Sequence, residues 1–198
     1  MSNEPKLPPD FNFAIHSSKE VSGAFRDRGI NDFKQAALFI KQLPYNRNAN
    51  KYDLTTVLTD GFGTCSTKHA LLKQLAIENE IENIRLMLCI FKMNASNAPK
   101  IAATLQDNKL EFILEAHNYL LVDGVIVDCT TATSAKEDFL DDTISTIEIE
   151  PSQINEYKVN IHKEILQQWL NENADINYSL DELFSIREKC IENLCSDL

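Results

Sequence analysis

The spacing of apolar residues predicts helices in the first third of the chain. Residues 31–43 (NDFKQAALFIKQL) carry apolar side chains at helical intervals. We therefore expect an amphipathic helix that Asn31 caps and Pro44 ends. A shorter helix ending near Gly29 should precede it. Residues 54–58 (LTTVL) predict a short strand or a turn.

A further helix is expected after a glycine-containing turn. Gly61 and Gly63 are two of only five glycines, so this turn has special backbone requirements. Thr64 is suited to cap a helix that runs to about Glu80. Cys65 then lies in the first turn of that helix.

The middle of the chain has the pattern of β-strands. Residues 84–93 (IRLMLCIFKM) are a continuous apolar run of strand length, which predicts a buried strand. Two more apolar segments, 112–122 and 125–130, are separated by Asp123-Gly124. This dipeptide strongly favours a two-residue hairpin turn.

The remaining patterns complete an α+β fold. Residues 94–100 (NASNAPK) predict a loop, and residues 144–150 (ISTIEIE) predict another strand. Residues 160–196 read as C-terminal helices, the second of which begins with a capping box formed by Ser179 and Glu182. Helices, then strands, then helices are typical of an antiparallel sheet with helices packed on it.

The chain is expected to form one domain. Its 198 residues suit a single domain with a well-sized core. Residues 1–10 hold three of the six prolines and predict a flexible N-terminal arm. Residues 11–198 are then the domain, with a core over 31–150 and helices over 160–196.

Composition and charge exclude several functions. The net charge of −11 leaves no basic footprint for nucleic acid and disfavours an anionic membrane. No apolar run reaches the length of a membrane span, and the first residues lack the pattern of a secretory signal. Five cysteines at irregular spacing suit free thiols in a reducing, cytoplasmic setting. No glycine-rich phosphate loop is present, and no cofactor is implied.

The hairpin register places a histidine beside an aspartate. A two-residue turn at Asp123-Gly124 pairs Val122 with Val125, so opposed positions continue down both strands. His117 and Asp128 are then diagonal neighbours on one face, within reach of a hydrogen bond. This arrangement is half of a nucleophilic site.

Cys65 can supply the other half. A helix start lowers the pKa of a thiol, and an adjacent imidazole lowers it further. The free N–H groups of the same helix start can bind a developing oxyanion. The small neighbours of Cys65 leave room for a substrate.

The order of these residues resembles the transglutaminase-like cysteine enzyme superfamily. The matching segments are GTCSTKHALLKQLA and EAHNYLLVDGVIVDCT, which together fall within residues 60–131. The resemblance implies a papain-like fold, with Cys65 as nucleophile, His117 as base and Asp128 as the residue that orients the base. The sequence departs from the family where Trp is frequent near the Cys and after the His.

Other residues are candidates for the same cleft. Tyr45, Arg47 and Tyr52 lie in the loop before the cysteine, where an upstream side chain can serve as a second oxyanion donor or cover the core. Glu115 shares the face of His117 and can line the cleft.

His69 allows a different assignment. It stands four residues after Cys65, on the same side of the helix, and can replace His117 as base or point to solvent. A zinc site of Cys65, His69, His117 and Cys129 is disfavoured, because the spacing is unusual and Cys129 points to the other face. No metal is therefore expected.

The sequence thus predicts thiol-dependent acyl transfer on a peptide, protein or small amide. Hydrolysis is favoured over transfer, because no second amine-binding site is marked. The alternative is a non-catalytic binding module that keeps the fold without needing the three residues.

Overall fold

A computed structural model describes residues 5–195. It contains a four-stranded antiparallel sheet with helices, which confirms the α+β class. The sheet has the order β3-β2-β1-β4. The strands are β1 Ile84–Asn94, β2 Phe112–Val122, β3 Val125–Val127 and β4 Thr143–Ile149. The α-helices are α1 Glu20–Arg26, α2 Phe33–Gln42, α3 Thr56–Asp60, α4 Cys65–Glu78, α5 Ala102–Asp107, α6 Glu156–Glu172 and α7 Leu180–Leu194.

Strands form at the positions that the apolar patterns predict. The central strand β1 is buried at nearly every position, because β2 and β4 flank it and helices cover it. The hairpin of β2 and β3 pairs Val122 with Val125, so the predicted register is confirmed. Asp123 and Gly124 both adopt positive φ, as the turn requires.

Helix α4 lies at the centre of the molecule. Thr64 and Thr67 form its capping box, which confirms the predicted cap. It packs on β1 and β2 and also contacts α1, α2 and α3. As a result, polar side chains that an amphipathic surface helix would expose are buried, among them Lys68 and His69.

The structure differs from the local expectations at two places before α4. The cap of α2 is Asp32, whose carboxylate accepts from Gln35 N–H at 2.8 Å. Asn31 instead donates to the carbonyl of Gly29. Residues 54–58 enter a helix, because Asp53 accepts hydrogen bonds from Thr55 and starts a turn.

The connection between β1 and β2 contains a helix that was not predicted. The predicted loop over residues 94–100 leads directly into a 3₁₀ turn at Pro99–Ile101 and then into α5, which the sequence pattern did not indicate.

The ends of the chain pack on the domain over the residues described. Within the predicted arm, Pro5 is buried and Leu7 packs against the core, while residues 1–4 lie outside the described part. The predicted C-terminal helices correspond to α6 and α7, and residue 196 lies outside it. Within residues 5–195 no helix is long and apolar enough to cross a membrane.

Gly63 is predicted to be essential for the start of α4. A Cβ at this position would lie 2.9 Å from Thr67 Oγ1 and 3.1 Å from Lys68 Cγ. Gly63→Ala should therefore lower the free energy of unfolding by about 1–3 kcal/mol, measured by urea denaturation.

Gly23→Ala is the matched control. A Cβ at Gly23, inside α1, meets nothing within 4 Å. This change should leave stability equal or raise it by about 0.5–1 kcal/mol, because alanine favours a helix. Equal effects of the two substitutions would contradict the packing argument.

Candidate active site

Cys65 is the first residue of α4 and lies at the bottom of a cleft. The segment before it is held by main-chain hydrogen bonds to the Pro44–Asn46 loop, with Tyr45 bridged to Gly63. The N–H groups of Cys65 and Ser66 have no acceptor within residues 5–195. Two free donors thus stand beside the sulfur at the positive end of the helix.

His117 and Asp128 form the predicted pair. The Nε2 atom of His117 lies 3.0 Å from Asp128 Oδ2. The other carboxylate oxygen accepts from the N–H of Thr130 at 2.8 Å. Because the carboxylate accepts from Nε2–H, Nδ1 is the ring nitrogen left for the thiol.

The electrostatics of the three residues favour an ion pair at neutral pH. Burial raises the pKa of the Cys65 thiol, but the ammonium of Lys158 and the neighbouring His117 lower it to about 6. Burial lowers the pKa of His117, but Asp128 and Cys65 outweigh burial and raise it well above 6.5. Burial also opposes the charge of Asp128, yet His117 keeps the pKa of that carboxyl below its usual value.

Aromatic rings surround the imidazole. The ring centroid of Phe139 lies 4.7 Å from that of His117, and Phe91 and Tyr119 lie 6.1 and 6.5 Å away. Phe139 comes from the segment between β3 and β4, for which the sequence analysis predicted no role. These rings limit the water around the pair of His117 and Asp128.

His69 is a buried structural residue, and the expectation that it points to solvent is wrong. It is fully buried. Its Nδ1 lies 2.7 Å from the carbonyl oxygen of Cys65, and its Nε2 accepts from the N–H of Cys129 at 2.7 Å. Burial lowers its pKa to about 4, against the opposing charge of Asp128. The ring is thus neutral, and its 3.6 Å contact with Asp128 is not an ion pair at neutral pH.

These bonds also remove His69 from the alternative assignments. With both ring nitrogens bound to the main chain, His69 can act neither as the base for Cys65 nor as a zinc ligand. Among residues 5–195, no group of three or more His, Cys, Asp or Glu side chains is arranged to hold a metal ion.

Tyr45 is the upstream candidate that reaches the thiol. It borders the cleft beside Cys65, and burial together with the nearby Cys65 and Glu115 raises its pKa. Within the described residues its hydroxyl has no hydrogen-bond partner. This free O–H can therefore donate to a group bound above the sulfur.

The other three candidates are already paired. Arg47 binds Glu188 at 2.8 Å. Tyr52 lies at the rim of the cleft and is 63% exposed. Its hydroxyl donates a hydrogen bond to the carboxylate of Glu156. Glu115 is buried below the cleft and forms an ion pair with Arg187 of α7 through two hydrogen bonds.

Sequence reasoning missed Lys158. This α6 residue is buried, and its Nζ donates to Ser66 Oγ and Asn118 Oδ1, both at 2.7 Å. Its place in a polar stretch of helix gave no signal.

The cleft extends to both sides of the thiol. A cavity of about 410 Å³ lies on the His117 side and is partly apolar through Met93, Phe139 and Leu194. A second cavity of about 510 Å³ lies on the Lys158 side. Tyr45, Cys65, Glu115 and Ile191 border both cavities, so a long substrate can pass over the sulfur.

No family model, curated protein or solved structure matches this chain. What the site can do therefore follows from its own geometry and chemistry.

We predict that Cys65 is the most reactive thiol of the protein. Its alkylation by iodoacetamide should follow a pH midpoint near 6, since the thiolate is the reactive form. Cys129, whose pKa burial raises to about 12, and Cys190, whose pKa burial raises to about 11, should stay unlabelled. The measurement is peptide mapping by mass spectrometry after short labelling at each pH.

His117→Ala tests the origin of this reactivity. Loss of the imidazole should move the midpoint upward and slow labelling at pH 6.5. Equal labelling of Cys65 and the less buried Cys195 at pH 6.5 would show that Cys65 is not activated.

His69 is predicted to cause acid sensitivity. Its pKa is about 4 when folded and near 6.5 when unfolded, so below pH 6.5 the unfolded chain binds a proton that the native state does not. Stability is thus lost as pH falls from 6.5 towards 4, by about 2–3 kcal/mol at pH 4.5 from this residue.

His69→Gln tests this assignment, because an amide can make both main-chain hydrogen bonds but does not titrate. The difference in unfolding free energy between pH 7 and pH 4.5 should shrink in this variant. A wild-type acid response in His69→Gln would contradict the assignment.

Proposed function

We propose that this protein is a cysteine-dependent acyl-transfer enzyme with a papain-like, transglutaminase-like fold that hydrolyses amide or peptide bonds. The observation that carries the proposal is a thiol at a helix start that borders the same cleft as an imidazole, which a buried carboxylate orients.

The architecture supports the papain-like assignment. The helix that begins with Cys65 packs on the antiparallel sheet, the histidine comes from β2, and the aspartate follows β3. This is the chain order and placement that the resemblance implies for Cys65, His117 and Asp128.

In the acylation step, the Cys65 thiolate attacks the carbonyl carbon and a C–S bond forms. The carbonyl electron pair moves to oxygen, where the free N–H groups of Cys65 and Ser66 can bind it. Tyr45 O–H is a further donor. His117 then gives its Nδ1 proton to the leaving nitrogen as the C–N bond breaks, which leaves a thioester.

In the second step, neutral His117 takes a proton from water and the resulting hydroxide attacks the thioester carbonyl. The C–S bond breaks, the acid is released and the thiolate with protonated His117 is restored. Throughout, Asp128 accepts from Nε2–H, which keeps Nδ1 facing the reaction.

The two cavities suit a substrate that extends on both sides of the reacting bond, such as a peptide or a protein segment. Small amides also fit the chemistry. All five cysteines are free thiols, which suits the reducing environment of the cytoplasm.

The decisive experiment is trapping of the acyl enzyme. The protein is mixed with a panel of peptides, amides and p-nitrophenyl acetate, quenched in acid, and examined by intact mass. We expect a thioester adduct on Cys65 and none in Cys65→Ala. Binding of peptides without any adduct would instead indicate a non-catalytic binding module.

Asp128→Asn should slow acylation by at least about 100-fold without unfolding the protein. The amide oxygen can keep the bond to Thr130 N–H, but the amide NH₂ then faces Nε2 and favours the tautomer with the proton on Nδ1. That imidazole cannot accept the thiol proton. The measurement is the burst of p-nitrophenolate together with a circular dichroism melt, and an unchanged burst would remove Asp128 from the triad.

A further inference from the structure

Lys158 lies beside the thiol, and no carboxylate among residues 5–195 is paired with it. It is 7% exposed, and its two hydrogen-bond acceptors are the neutral side chains of Ser66 and Asn118. Ser66 directly follows Cys65 and Asn118 directly follows His117. The Ser66 hydroxyl also donates to Asn118 Oδ1 at 3.0 Å, so the ammonium joins the elements that carry nucleophile and base.

Burial disfavours the charged form of an ammonium, and a nearby opposite charge favours it. Burial lowers the pKa of Lys158, and the largest opposing effect comes from the charge of Cys65. The next is Glu115, which already binds Arg187. Glu115 is thus shared with Arg187 of α7. The Cys65 thiolate is the counter-charge that Lys158 does not share with Arg187.

One donor of Lys158 remains free. An ammonium carries three N–H groups, and only two have acceptors within residues 5–195. The side chain borders the 510 Å³ cavity together with Cys65 and Ser66. An anion formed above the thiol would find an unused donor at this wall.

We propose that Lys158 is a fourth member of the active site, whose ammonium stabilises the Cys65 thiolate in the free enzyme and the oxyanion during acyl transfer. The role of Lys158 towards the oxyanion rests on the proposed function, whereas its role towards the thiolate does not. When the C–S bond forms, the negative charge passes from sulfur to oxygen. Lys158 keeps its proton throughout, so no additional reactant is needed.

Other charged groups around this cluster shape its titration as well. The groups that act on Cys65 or Lys158 come from strands, helices and loops alike: His117 and Glu115 on β2, Cys89 on β1, Arg187 on α7, and Tyr45. The test therefore compares variants that differ only at position 158.

The first measurement is the pH dependence of Cys65 alkylation by iodoacetamide. Lys158→Gln keeps polar contacts to Ser66 and Asn118 but removes the charge, and Lys158→Met removes both. Each should raise the alkylation midpoint by about 1–3 pH units. Lys158→Arg, which keeps the charge, should stay closer to wild type.

Lys73→Met is the matched control. Lys73 is another buried lysine of α4, and its Nζ binds the carbonyl of Ile84 away from the thiol. Its loss tests whether removal of any buried ammonium changes the midpoint. The proposal would be overturned if folded Lys158→Gln had the wild-type alkylation midpoint, or if Lys73→Met shifted the midpoint equally. The result for Lys158→Gln decides the question even if Lys158→Met does not fold.

The second measurement isolates the oxyanion. The p-nitrophenolate burst at pH 8 is divided by the fraction of Cys65 thiolate taken from each alkylation curve. Lys158→Gln should lower this rate per thiolate at least about tenfold. An unchanged rate per thiolate would overturn the oxyanion role.

The two proposals fail in different ways. If wild type forms no acyl adduct but Lys158→Gln still shifts the alkylation midpoint, the enzymatic proposal is wrong and Lys158 is the thiolate partner only. If wild type is acylated while both Lys158→Gln readouts stay at wild-type values, the enzyme stands and Lys158 is not part of its site.

Discussion

The candidate site depends on how the main chain is held where it leaves β3 in the interior of the protein. Beyond Val127 the main chain has no strand partner, yet it is buried, so its polar groups need side-chain partners. Lys41 of α2 donates to the carbonyl of Asp128, Lys68 of α4 donates to that of Thr130, and His69 accepts from the N–H of Cys129. These three residues hold the aspartate where it meets the imidazole. The same histidine binds the carbonyl of Cys65, so one ring fixes both ends of the triad.

This arrangement explains why α4 is buried at most of its positions although it carries lysines and a histidine. A buried polar group is tolerated when its hydrogen bonds are satisfied, and each of these side chains has a main-chain partner. The thiol lies at the one end of this helix that opens into the cleft. Rigid support of Cys65 and His117 by the interior is what catalysis through a thiolate and an imidazolium requires.

The sequence could predict the parts of the site that local geometry determines. The contact of His117 with Asp128 follows from a two-residue turn and the alternation of a strand, and the start of the cysteine helix follows from Thr64. The position of His69 needed knowledge of what packs on the far side of α4, so its helical spacing alone gave the wrong orientation. Short elements such as α3 and α5 depend on single hydrogen bonds and turns, for which periodicity carries no information.

Lys158 was beyond prediction because it reaches the thiol only after α6 docks on the sheet. The same holds for two residues of α7. Arg187 neutralises Glu115, and Ile191 forms part of the wall that both cavities share. The C-terminal helices therefore do more than cover a hydrophobic face. Without Arg187, Glu115 would be an unpaired carboxylate bordering the same cavity as Cys65, and a nearby negative charge raises the pKa of a thiol. The segment that resembles a cysteine enzyme carries the groups proposed to react, while the helices that follow set the charge around them.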